Sequence, residues 1–153
     1  MEIMDSKEAR AALDSVQATD RKMADKMRWP FRRHALFGLS EGLLVTGLGI
    51  EGGTGTSLCA AGVVLILAAM SIDKQREGMF VSGMKGKSTR PLMWVLMTVL
   101  IGAVLLSLLV LRWEEGVNPA VVALGVAVGV FCTWASTKWE KLYRAELLSG
   151  EAR

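Results

Sequence analysis

One histidine, one tyrosine, two cysteines and three prolines are all that the 153 residues contain of those types. A lone histidine, His34, removes the clustered imidazoles on which most zinc sites and nucleophilic triads depend. Cys59 and Cys132 both fall inside apolar segments, which makes them small packing residues rather than a disulfide or a metal pair. No two acids share an apolar segment, and no nucleophile stands beside a base. The expectation is a non-enzymatic chain with no catalytic residue, no metal and no cofactor. The net charge of +3 comes without a basic stripe interleaved with aromatics, so no nucleic acid is expected as a partner. The run Gly83-Met84-Lys85-Gly86-Lys87-Ser88 is not a phosphate-binding loop, because the first glycine of that motif would fall on Val81.

Apolar residues are plentiful, at 52%, and they come in blocks. Charges gather at residues 2–33, 73–90, 112–115 and 138–153, leaving the stretches between nearly free of them. This blocking predicts an all-α membrane protein with transmembrane helices at about 35–50, 57–72, 92–111 and 119–137. Short connections make them two antiparallel hairpins, with residues 51–56 read as a Gly-rich turn. The first two spans cover about 16 residues each, roughly 24 Å as helix, against a hydrocarbon layer of about 30 Å. Either they recruit flanking residues and thin the bilayer, or their hairpin is shielded inside protein. The Gly38–Gly42, Gly125–Gly129 and Ala103–Ser107 steps, each of two small residues four apart, suit close helix packing or a homodimer.

The domain organisation expected is a cytoplasmic amphipathic helix and membrane-entry segment over 1–33, a four-helix domain over 34–138 with a basic loop at 73–90, and a tail over 139–153. Asp5 and Glu8 fit a capping pattern for a helix over about 5–28. Leu13, Val16, Met23 and Met27 share one of its faces, which Asp20 interrupts. Such a helix either docks a partner or lies against the membrane and loops. Pro30 lacks a backbone donor and suits the start of the next helix. Trp29, Arg32, Arg33 and Trp139 suit lipid headgroups. No short basic start leads promptly into an apolar run, so insertion without cleavage is expected.

Orientation follows from the basic residues. Lys26, Arg28, Arg32, Arg33, the five basic residues of the 73–90 loop, Lys138, Lys141 and Arg144 fall on one side, and Arg112 alone on the other. Both termini are then expected in the cytoplasm of a bacterial-type inner membrane.

Glu41 breaks the pattern of charge-free spans. An acid at a membrane helix centre costs roughly 2.5–3.5 kcal/mol on insertion scales, which marks it as a functional candidate. His34, Gly38 and Glu41 share a helix face, with Glu41 roughly 10 Å deeper than His34. One reading is a proton or substrate path from His34 to Glu41. The other is structural: His34 beside Arg32 and Arg33, and Glu41 hydrogen-bonded to Ser40, Thr46, Ser107 or Thr133. In that acid and in its helix count the chain resembles the small multidrug-resistance transporters. It departs from them in its polar N-terminal helix and long middle loop, and no family assignment follows. The leading expectation is a small inner-membrane protein acting by packing against itself or a membrane-protein partner; the alternative is a proton-coupled transporter using Glu41.

Overall fold

The computed structural model describes residues 6–77, 88–111 and 116–149, and these form five helices. They are α1 (Ser6–Lys26), α2 (Phe31–Leu48), α3 (Gly52–Glu77), α4 (Arg90–Leu109) and α5 (Pro119–Ser149). The predicted features at Asp5, over most of the basic loop (78–87, with Lys85 and Lys87), at 112–115 and at 150–153 lie outside the described residues.

Three helices, α3, α4 and α5, are long and apolar enough to cross a membrane. Buried residues make up only 11%, 17% and 28% of their apolar windows, so most of that surface faces away from protein. Large side chains such as Val64, Leu67, Trp94, Ile101, Leu109, Val126 and Val130 stand exposed. Contiguous apolar surface on this scale is a feature of membrane or interaction faces, not of water-exposed ones. The chain is thus all-helical among the described residues, with the character of a multi-pass membrane protein.

α2 is different. Its eighteen residues include Arg32, Arg33 and Glu41, and it is not among the helices apolar enough to qualify as a span. It is instead the helix on which α3, α4 and α5 all pack. α2 packs most extensively on α5 and α3, and it also meets α4. Pro30, extended at φ −67° and ψ 146°, starts it, as its fixed φ and missing donor allow.

Two boundaries differ from expectation. Residues 52–56 form the first turn of α3 rather than a free turn, and the reversal is confined to residues 49–52. Gly52 makes this possible at φ +79°, a conformation costly for any residue with a Cβ. Asp73 and Lys74 likewise belong to α3, not to a loop. At the far end of the chain, α5 has 31 residues, about 46 Å at the helical rise, and its charged C-terminal part continues past the apolar segment.

That C-terminal part of α5 supports α1. Ala24 and Met27 are buried with Tyr143 and Leu147, and the Arg144 guanidinium donates to the Ala24 carbonyl at 2.9 Å. The expected stripe on α1 docks only at this end: Leu13 and Val16 are exposed. At the opposite end of the bundle Asn118 ties α4 to α5. Its amide donates to the Leu111 carbonyl and its Oδ1 accepts the Ala120 N–H, both at 2.9 Å.

Candidate functional site

The α2–α5 crossing is built from residues without bulk. Gly38 and Gly42 on α2 face Gly125 and Gly129 on α5. A Cβ at Gly42 would come within 2.7 Å of the Gly125 carbonyl oxygen, and one at Gly129 within 3.0 Å of the Gly38 carbonyl oxygen. A Cβ at Gly38 would overlap both the Gly129 carbonyl and Thr133 Oγ1. The two glycine steps seen in the sequence are therefore two sides of one seam within the chain. Ala103 and Ser107 also pack inside the molecule. Ala103 joins the core of Val45, Leu96, Val128, Cys132 and Ala135, and the Ser107 hydroxyl donates to the Val45 carbonyl at 2.8 Å.

A second close seam joins α2 to α3. Gly47 lies against Gly55 and Cys59, and Gly62 against the Ser40 carbonyl and Leu44. Sequence reasoning missed it. The signal was present in Gly55, Cys59 and Gly62 at spacings of four and three, but it was divided between an assumed turn and a span.

His34 points its ring at α5 rather than standing open at the end of α2. It is 3% exposed, and α5 engages both of its ring nitrogens. Nδ1 lies 2.8 Å from Ser136 Oγ and Nε2 2.9 Å from Glu140 Oε2. A ring carrying its proton on Nε2 donates to the carboxylate and accepts from the hydroxyl, which satisfies both atoms. It does not sit among Arg32 and Arg33 at a lipid boundary either. It is a polar bridge between helices.

The aromatic residues beside it form a stack. Trp29 lies parallel to Trp139 at 5.8 Å, and Trp139 parallel to Tyr143 at 5.1 Å. Arg33 covers the outer face of Trp29, its Cζ 3.2 Å from the ring centre, and makes a bidentate ion pair with Asp73 of α3. Trp139 Nε1 is buried with no hydrogen-bond partner among the described residues, so this indole is held by stacking and presents no N–H to a headgroup. Of the four expected lipid anchors, Arg32 is exposed and free to act as one. Trp29, Arg33 and Trp139 are engaged within the protein. Tyr143 lies beyond the apolar part of α5. Burial, with Glu146 and Asp20 nearby, pushes its phenol up from the ordinary value.

Glu41 shares a face of α2 with Phe37 and Val45, which pack toward α4 and α5. It is partly buried and near Cys132. The four hydroxyls expected to hold it do not. Ser40 donates to the Phe37 carbonyl, Thr133 to the Gly129 carbonyl and Ser107 to Val45. Among the described residues no ion pair or hydrogen bond to Thr46 or any other group holds Glu41. No group of three or more His, Cys, Asp or Glu there could hold a metal ion.

Comparisons with protein-family models, with characterised proteins and with solved structures gave no match. Function is therefore read from the geometry alone.

Proposed function

We propose that the chain is a non-enzymatic, multi-pass inner-membrane protein that acts by helix packing. In this reading α2 is a fourth span, making two antiparallel hairpins. Its eighteen residues, about 27 Å as helix, are short for a bilayer, but α3, α4 and α5 pack on them. His34 and Ser40 are then buried in protein rather than in hydrocarbon. The observation that carries the reading is where the buried polar groups go. His34 and Ser107 each bond across to another helix of the bundle, while Ser40 and the half-buried Thr133 bond back to their own helices, so little remains for chemistry.

The basic residues support an orientation with both termini in the cytoplasm. Contacts gather the start of α2, the end of α3, the start of α4 and the C-terminal part of α5 at one end, through Arg33–Asp73, Ser88–Glu146 and His34–Glu140. That end carries the cations, as the positive-inside rule requires. The exposed α4 face around Trp94, Val95, Ile101 and Leu105 is then turned to lipid, to a second copy or to a membrane-protein partner.

Photo-crosslinkers at Val95 and Ile101 test the packing role in native membranes. Discrete protein adducts are expected; adducts to lipid alone would remove it. Glu41, unpaired and half-buried, favours a second reading as a proton-coupled pathway. Reconstituted vesicles decide between them: proton flux lost in Glu41→Gln establishes the pathway, and flux absent from the wild type excludes it.

A further inference from the structure

A cleft of about 530 Å³ opens at the cation-rich end, where the α1–α2 connection meets the last turns of α3. Its volume is within the roughly 300–1,000 Å³ of small-ligand sites. Lys26, Arg28, Arg32 and Arg33 line it together with one acid, Asp73. Arg33 and Asp73 neutralise each other through their bidentate pair. Lys26, Arg28 and Arg32 remain, all exposed, and among the described residues no side-chain hydrogen bond or ion pair engages any of them. The start of α2 lies at the same rim, with no side-chain cap on its first turn. Unsatisfied N–H groups there add to the positive field.

The rest of the wall is apolar: Trp29, Pro30, Leu36, Ala69 and Ile72. Leu36 lies on α2 and Ala69 and Ile72 on α3, so this floor runs down the outer groove between those helices. Ile72 is exposed, and Leu36 and Ala69 are half-buried. A cleft with three uncompensated cations at its mouth and an apolar floor leading toward the spans matches a molecule with an anionic head and a hydrocarbon tail.

We infer that this cleft is a discrete site for one phospholipid of net negative charge. Its phosphate is held by Lys26, Arg28 and Arg32, and an acyl chain lies along Leu36, Ala69 and Ile72. The paired Arg33 and Asp73 form the wall behind the headgroup, and the Trp29 ring, pinned by Arg33 and by Trp139, closes one side. Guanidinium groups suit a phosphate through paired N–H donors, and each cation near an anionic headgroup strengthens binding about five-fold. A zwitterionic lipid carries its own amine beside the phosphate and gains far less. The inference rests on the membrane reading, not on the packing role.

The test uses the full-length protein, extracted in mild detergent and titrated with dioleoyl phosphatidylglycerol or dioleoyl phosphatidylcholine, with retained lipid counted by native mass spectrometry. One phosphatidylglycerol per chain should persist where phosphatidylcholine does not. Arg28→Gln with Arg32→Gln should weaken its retention about 25-fold, whereas Lys138→Gln with Lys141→Gln, the same charge change on α5, should leave it unchanged. Ala69→Trp, which fills the floor and alters no charge, should also lower retention. Equal loss from both charge pairs, or equal retention of both lipids, overturns the site. Full displacement by millimolar inorganic phosphate, with Ala69→Trp without effect, makes it a phosphate site and overturns the lipid. Failure of the wild type to enter phosphatidylglycerol vesicles at all overturns the membrane reading itself. Normal insertion without lipid selectivity overturns only this site.

Discussion

Replacing Gly38 by alanine is the most direct challenge to the α2–α5 seam. The new Cβ would overlap the Gly129 carbonyl and Thr133 Oγ1, and it would stand 3.0 Å from the Thr133 backbone nitrogen. The hydroxyl can rotate away. The backbone atoms cannot, so the helices must separate. Overpacking of this kind costs about 1–3 kcal/mol, against a helix-propensity gain of about 0.5–1 kcal/mol for losing a mid-helix glycine. Gly102 supplies the control: it lies inside α4, a Cβ there would meet nothing within 4 Å, and Gly102→Ala should keep only the gain. The two variants should differ by about 1–3 kcal/mol in reversible unfolding followed by circular dichroism in mixed micelles. Gly129→Ala, whose nearest obstacle is 3.0 Å away, should fall between them. Adding Thr133→Ala to Gly38→Ala should restore only part of the loss, because the Gly129 carbonyl remains. Equal stability of Gly38→Ala and Gly102→Ala, or full rescue by Thr133→Ala, would refute the close crossing.

His34→Ala leaves Ser136 and Glu140 without their ring partner and should cost about 1–3 kcal/mol in the same unfolding assay; a loss near zero would mean the bridge is not formed. Ser107→Ala removes the bond to the Val45 carbonyl and should cost about 0.6 kcal/mol, the average for interhelical hydrogen bonds in a membrane bundle, and no more than about 1.7 kcal/mol. Asp73→Asn weakens a pair that is about a quarter exposed, so its cost should stay below about 1 kcal/mol and shrink in high salt. Tyr143 is the sole tyrosine, so its ionisation can be read directly from tyrosinate absorbance. Its raised folded pKa favours the neutral phenol, a stabilisation present below the ordinary value near 10 and lost as pH rises through the folded one. The midpoint should lie above 10, with α1 leaving α5 as ionisation completes; an ordinary midpoint with α1 still docked would show the ring to be open to water.

Much of the helical plan was legible because lipid-facing and water-facing segments differ in composition. The charge blocks outlined α4 and the apolar parts of α3 and α5, and Pro30 marked a helix start. The small-residue steps were legible as packing elements but not as partners, since spacing along a helix says nothing about which helix it meets. His34 is 102 residues from Ser136 and 106 from Glu140, and Arg33 is 40 from Asp73. No local pattern links such pairs. The Trp residues near span ends satisfied the composition rule for interfacial anchors, yet Trp29 and Trp139 stack on each other, because α1 and the end of α5 meet there.

Local composition and helical period were enough to establish a helical chain, blocked into apolar and charged segments. The packing of the helices settled the rest: α3, α4 and α5 pack on α2, its glycines close on α5, and His34 is a bridge while Glu41 has no hydrogen-bond or ion-pair partner among the described residues. These outcomes depend on which surfaces meet. Two complementary backbones far apart in the chain leave no mark of each other in either segment alone.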